Sequence, residues 1–168
     1  MEMLSGNNRN KNKIKLLVIK DYSNRGKTTL IWMVFIELVR LGANVVSYLD
    51  TWTRKTHPYP TTLPPRSKRD DIIAELNWNG KSIHIVSFGD VIVDVDNALQ
   101  DVLKKNPDYI ICAASIKYWG ASPWNLFETK YTNLIFDRVC FWSEYTDNPR
   151  NEVRVKQPTV EAIVKYIA

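Results

Sequence analysis

The segment Asp21-Tyr22-Ser23-Asn24-Arg25-Gly26-Lys27-Thr28-Thr29 gathers residue types suited to holding phosphate. Gly26 lets the backbone come close to an anion, and the free N–H groups that open a following helix point towards it. Lys27 would neutralise the outer phosphates of a nucleotide, and the Thr28 hydroxyl would ligate Mg²⁺. Thr29 would support the inner phosphate, with Ser23, Asn24 and Arg25 completing the cradle. The spacing matches G-x-x-x-x-G-K-[ST] except at the first place, where Asp21 stands for glycine. A carboxylate there opposes a polyanion unless it turns away or Arg25 offsets it. The plainer alternative is an ordinary strand-to-helix turn in which Ser23 or Asn24 caps the helix.

Phosphate chemistry of this kind needs an acid on a neighbouring strand to hold Mg²⁺ through water. Asp90, closing IHIVSFGD, is the first candidate, because α/β sheets place their sites at strand carboxyl ends. Asp50, closing NVVSYLD, is the second, and Asp108 precedes its strand and lies at the wrong end. The alternative for both candidates is a carboxylate that caps a helix or is solvated at the sheet rim. Residues 51–69 begin at the same edge, so Arg54, Arg66 and Arg69 can reach a bound phosphate; the alternative is a solvated loop. Tyr118, Trp119 and Trp124 follow the strand YIICAA, where a base could stack, although lid or core aromatics are the plainer reading. No Asn-Lys-x-Asp guanine motif is present. His57 and His84 are assigned no role.

The elements that must position these residues are legible from periodicity. Residues 14–20 (IKLLVIK) read as a buried strand, and residues 27–41 as a helix apolar nearly all round, stopped by Gly42. Residues 44–50 form a second strand. Residues 72–77 and 82–88 flank Asn79-Gly80, a strong hairpin signal. A helix over 95–105, a buried strand over 109–114, a helix from Pro123 to 133, a strand over 138–142 and a helix from about Thr159 complete the chain. This order predicts an α/β fold, a three-layer sandwich around a mostly parallel sheet, with the hairpin giving one antiparallel edge strand.

With 168 residues, 45% hydrophobic and 24% charged, the chain has the size and composition of one globular domain. The expected organisation is a flexible basic tail over 1–12 and a single domain over 13–168. Cys112 and Cys140 make no metal-ligand spacing and fit a reduced interior. The net charge of +5 is unevenly placed. Residues 1–20 hold five basic side chains and one acid; residues 51–69 hold five basic side chains, no acid and four of the eight prolines. Elsewhere 13 basic side chains face 17 acidic ones. The two basic segments suit phosphate-bearing partners, either nucleic acid or a protein partner, and homodimer formation is left open. No apolar leader or membrane-length run is visible, so a cytoplasmic protein without a membrane partner is expected.

Through GKTTLIWMVFIELVRLGANVVSYLD, within residues 14–50, the chain resembles the P-loop NTPase superfamily. It is similar there to partitioning-type ATPases, to small P-loop kinases and to the molybdopterin-guanine-dinucleotide biosynthesis GTP-binding family. The partitioning-type ATPases carry a further lysine where this chain has Tyr22. The resemblance implies a Mg²⁺-dependent protein that binds ATP or GTP, with an ATP hydrolase as the leading expectation. In that reading Lys27, Asp90 and Asp50 are catalytic, residues 23–29 bind nucleotide, and Thr28 with Asp90 holds the metal. The alternatives are a kinase, in which Asp50 faces the phosphate acceptor, and a non-catalytic nucleotide or nucleic-acid binding module.

Overall fold

Apolar runs spaced by turn residues produce six strands and four helices in the computed structural model, which describes residues 14–117, 119–132 and 135–168. They follow in the order β1 (Ile14–Asp21), α1 (Lys27–Arg40), β2 (Asn44–Asp50), β3 (Ile72–Trp78), β4 (Lys81–Val86) and α2 (Ile92–Lys104). The chain continues with β5 (Tyr109–Ser115), α3 (Pro123–Glu128), β6 (Ile135–Trp142) and α4 (Glu152–Ile167). The basic tail expected over 1–12 lies outside the described residues, as does Tyr118.

The strands form one sheet in the order β2-β3-β4-β5-β1-β6. β4, β5, β1 and β6 pair in parallel, while β3 runs antiparallel to both β2 and β4. Alternate residues of the central strands serve opposite faces, as a pleated strand requires. Leu17 and Ile19 join the cluster under α1 and α4, whereas Leu16 and Val18 join the one under α2 and α3. The result is the three-layer α/β sandwich with a mostly parallel sheet. The Asn79-Gly80 turn has φ of 51° and 73°, the left-handed pair a two-residue hairpin needs. The antiparallel strand is β3, and it lies one place in from the edge because β2 pairs along its outer side.

α1 is stopped by Gly42, whose φ is 92°. Its N–H donates to the Val39 carbonyl at 3.0 Å, and that of Ala43 donates to Leu38 at 2.9 Å. α1 is apolar nearly all round because it is covered on several sides: by the sheet, by α4 and by the proline-rich segment, from which Tyr59 packs on Phe35 and Leu63 joins the same core. The last helix begins at Glu152, well before Thr159, and carries Pro158 inside it. Proline removes one N–H from the ladder, but Glu152 and Lys156 are buried and hold the first turns in place. α3 ends at Glu128, earlier than the pattern over 123–133 suggests.

Candidate functional site

β1 ends in Asp21, and the chain turns through Asn24 and Gly26, with φ of 60° and 83°, into α1. A residue at φ near +80° is readily accommodated only as glycine. A Cβ at Gly26 would also stand 3.0 Å from Lys156 Nζ and 3.3 Å from Glu152 Oε1. The first turn of α1 has no side-chain cap and no acidic residue, so its N–H groups and positive dipole end are open to an anion. This turn opens on a cavity of about 290 Å³ whose lining includes Lys27, Thr28, Arg69, Asp71 and Asp90.

Lys27 is 5% exposed; its Nζ donates to the Tyr22 carbonyl at 2.9 Å and lies 3.5 Å from Asp90 Oδ1. Burial lowers its pKa, and Asp90 acts in the opposite direction. Asp90 follows β4, is 57% exposed, and accepts from the hydroxyls of Ser115 and Ser23. Gly89 makes this placement possible: a Cβ there would be 2.7 Å from the Ala113 Cβ and 3.2 Å from the Ala113 carbonyl carbon.

The acid beside Thr28 is Asp71. Its Oδ1 accepts from the Thr28 hydroxyl at 3.3 Å and from the Ser87 hydroxyl at 2.9 Å. Burial raises its pKa, against those two hydrogen bonds. From sequence alone, candidate acids fall only at the carboxyl ends of strands, whereas Asp71 directly precedes β3. Since β3 is antiparallel, its start lies at the same edge as the carboxyl ends of β1, β4 and β5. The Asn79-Gly80 hairpin signal implies this reversal and, with it, the position of Asp70-Asp71 at that edge.

Asp21 is buried, and its two carboxylate oxygens accept from Tyr22 N–H at 2.8 Å and from the Ser143 hydroxyl at 2.6 Å. The Arg25 guanidinium lies 4.1 Å from the Tyr145 ring centroid, so Arg25 contributes its backbone to the loop. Beneath Gly26, Lys156 is 1% exposed and donates to the carbonyls of Ser143 and Glu144. Nothing in the motif pointed to Lys156, which lies 130 residues from Gly26 in the chain.

From the proline-rich segment, Arg69 donates to Glu152 Oε2 at 3.0 Å and to Thr29 Oγ1 at 3.3 Å. Arg66 approaches the same Glu152 oxygen at 3.9 Å and also lines the cavity, which Arg54 does not. Asp50 accepts from the N–H groups of Trp52 and Thr53 at 3.0 and 2.9 Å, capping its own turn; it lines a different, neighbouring cavity. Trp119 is 90% exposed, and Trp124 packs beside Phe127. Of the basic segment over 1–20, Lys15 and Lys20 lie in β1, with Lys20 Nζ 4.8 and 5.0 Å from the Trp124 and Trp142 ring centroids.

Among the described residues, no three His, Cys, Asp or Glu side chains converge as a metal cluster. Mg²⁺ asks for less, since it keeps waters and uses one or two protein groups together with phosphate oxygens. Thr28 with Asp71 fits that demand. Among the described residues no helix is long and apolar enough to cross a membrane. No family model, no curated protein and no solved structure matches the chain.

Proposed function

We propose that the chain binds a nucleoside triphosphate with Mg²⁺ at the turn between β1 and α1 and hydrolyses it, with ATP as the leading substrate. The observation that carries this reading is the left-handed Gly26 opening an uncapped α1 into a cavity where Lys27 and the Thr28–Asp71 pair meet. The α1 N–H groups bind the phosphates, and Lys27 exchanges the Tyr22 carbonyl for a phosphate oxygen. Thr28 and Asp71 would hold Mg²⁺, which would neutralise phosphate charge. Asp90, 3.5 Å from Lys27 Nζ, orients the attacking water. Arg66 and Arg69 meet the charge that develops during transfer. Positioning and charge stabilisation supply the catalysis, because phosphoryl transfer asks little covalent chemistry of the protein.

The cavity also contains Asp71, Asp90 and Glu152, which offset the cations Lys27, Arg66 and Arg69. A triphosphate therefore needs its metal: binding should weaken at least about tenfold when EDTA replaces Mg²⁺. Calorimetric titration with ATP and GTP, followed by a phosphate-release assay, tests the whole reading. Saturable Mg²⁺-dependent binding with release of phosphate supports a hydrolase, and no binding of either nucleotide contradicts it. The kinase reading draws on the neighbouring cavity bordered by Asp50; there, turnover would require an added acceptor.

A further inference from the structure

We propose that the cavity between the end of β2 and the proline-rich segment binds a flat, amine-bearing heteroaromatic ring of purine size. Its volume is about 470 Å³, within the range of small-molecule sites. Trp32 and Tyr48, buried and packed edge-on with ring centroids 6.2 Å apart, line it, and Pro58, Pro60 and Pro64 add apolar surface. Trp52 borders the same space with 82% of its surface exposed, leaving an indole face free for a planar partner.

The polar groups select the kind of ring. Asp50 and Asp70 both line the cavity, and a carboxylate can only accept hydrogen bonds when ionised. Each bears on its surroundings: burial, then the Asp50 charge, raises the Asp70 pKa, and burial with both aspartates pushes the Tyr48 phenol up to about 12. A ligand presenting N–H donors between these acids relieves that repulsion. Lys55 and Lys68 also border the cavity, but their side chains are exposed, whereas Asp50 and Asp70 are half-buried and less screened. Asp50 is fixed by the Trp52 and Thr53 N–H groups, and the Trp32 indole N–H is occupied by the Asp70 carbonyl at 2.9 Å. The site is therefore built without its ligand. It adjoins the phosphate cavity through the consecutive residues Asp70 and Asp71, yet its binding does not depend on that cavity.

The test is calorimetric titration with adenosine and guanosine, without Mg²⁺ or triphosphate, of the wild-type chain and of Lys27→Ala, Trp52→Ala and Asp70→Asn. At least one nucleoside should bind saturably to the wild type and to Lys27→Ala, and at least about fivefold more weakly to Trp52→Ala. Asp70→Asn should weaken it as well; Trp52 is exposed, so its truncation removes a ligand contact without touching the core. Absence of saturable binding by both nucleosides overturns the proposal. So does binding that survives Trp52→Ala but is lost in Lys27→Ala, which would place the ring in the phosphate cavity.

Discussion

Asp71 and Asp90 line the same cavity but touch different partners, Thr28 and Lys27, and these surroundings predict different losses. Asp71 touches the Thr28 hydroxyl, so Asp71→Asn should weaken Mg²⁺-nucleotide binding by about tenfold or more, while metal-free binding, relieved of one negative charge in the cavity, should strengthen. Asp90→Asn should reduce turnover more than affinity, and equal loss of both would argue for a structural role. The pH dependence follows from the Asp71 environment. Its carboxyl titrates above the ordinary aspartate range because it is buried, and only its ionised form holds a cation. Mg²⁺-dependent affinity should therefore fall on acidification at a pH above that range, and Asp71→Asn should flatten this part of the profile. The Lys156 ammonium, buried beneath Gly26, ties the carbonyls of Ser143 and Glu144 together. Lys156→Met keeps length but removes these donors and takes one cation from beside Asp21 and Glu152, Glu152 keeping Arg69 and Arg66. A loss of about 3 kcal/mol in urea unfolding is expected.

At the scale of elements, the strand directions decide which residues meet. β1, α1 and β2 were legible because buried strands and an apolar helix capped by glycine leave strong local patterns. The hairpin was equally plain from Asn79-Gly80. What local pattern could not supply was neighbour order: β2 pairs with β3 across a 21-residue connection, which moves the antiparallel strand inward and brings Asp71 against Thr28. The start of α4 was hidden for a related reason. Pro158 looks like a boundary in sequence, whereas burial of Glu152 and Lys156 holds the helix through it. The turn after β4 gives an element-scale prediction. Gly89→Ala would press a methyl against the Ala113 Cβ and carbonyl carbon, so the turn must shift, costing about 1–3 kcal/mol. The same shift carries Asp90 away from Lys27, and turnover should fall with stability; unchanged turnover in a destabilised variant would separate Asp90 from the reaction.

Across the whole molecule, the net charge of +5 divides into work done at different places. In the proline-rich segment, Arg69 and Arg66 approach Glu152 and the cavity at the opening of α1, while Arg54, Lys55 and Lys68 are exposed and do not line it. The segment is also a cover: Tyr59 packs 6.2 Å from Phe35 and 6.3 Å from Tyr48, shielding the side of α1 that the sheet and α4 leave open. A proline-rich, basic composition leaves a phosphate-reaching or a solvated loop open and does not show this covering task, because a cover is recognised only once the surface it covers is known. Both sets of candidate residues lie at one edge of the sheet, where β1, β4 and β5 end and β3 begins. The central claim is that Lys27 and the opening of α1 hold the phosphates of a nucleotide. Calorimetric titration of Mg²⁺-ATP into the wild-type chain and a folded Lys27→Ala variant tests it most directly. The account predicts saturable binding to the wild type and none detectable in the variant; equal affinity in both would contradict it.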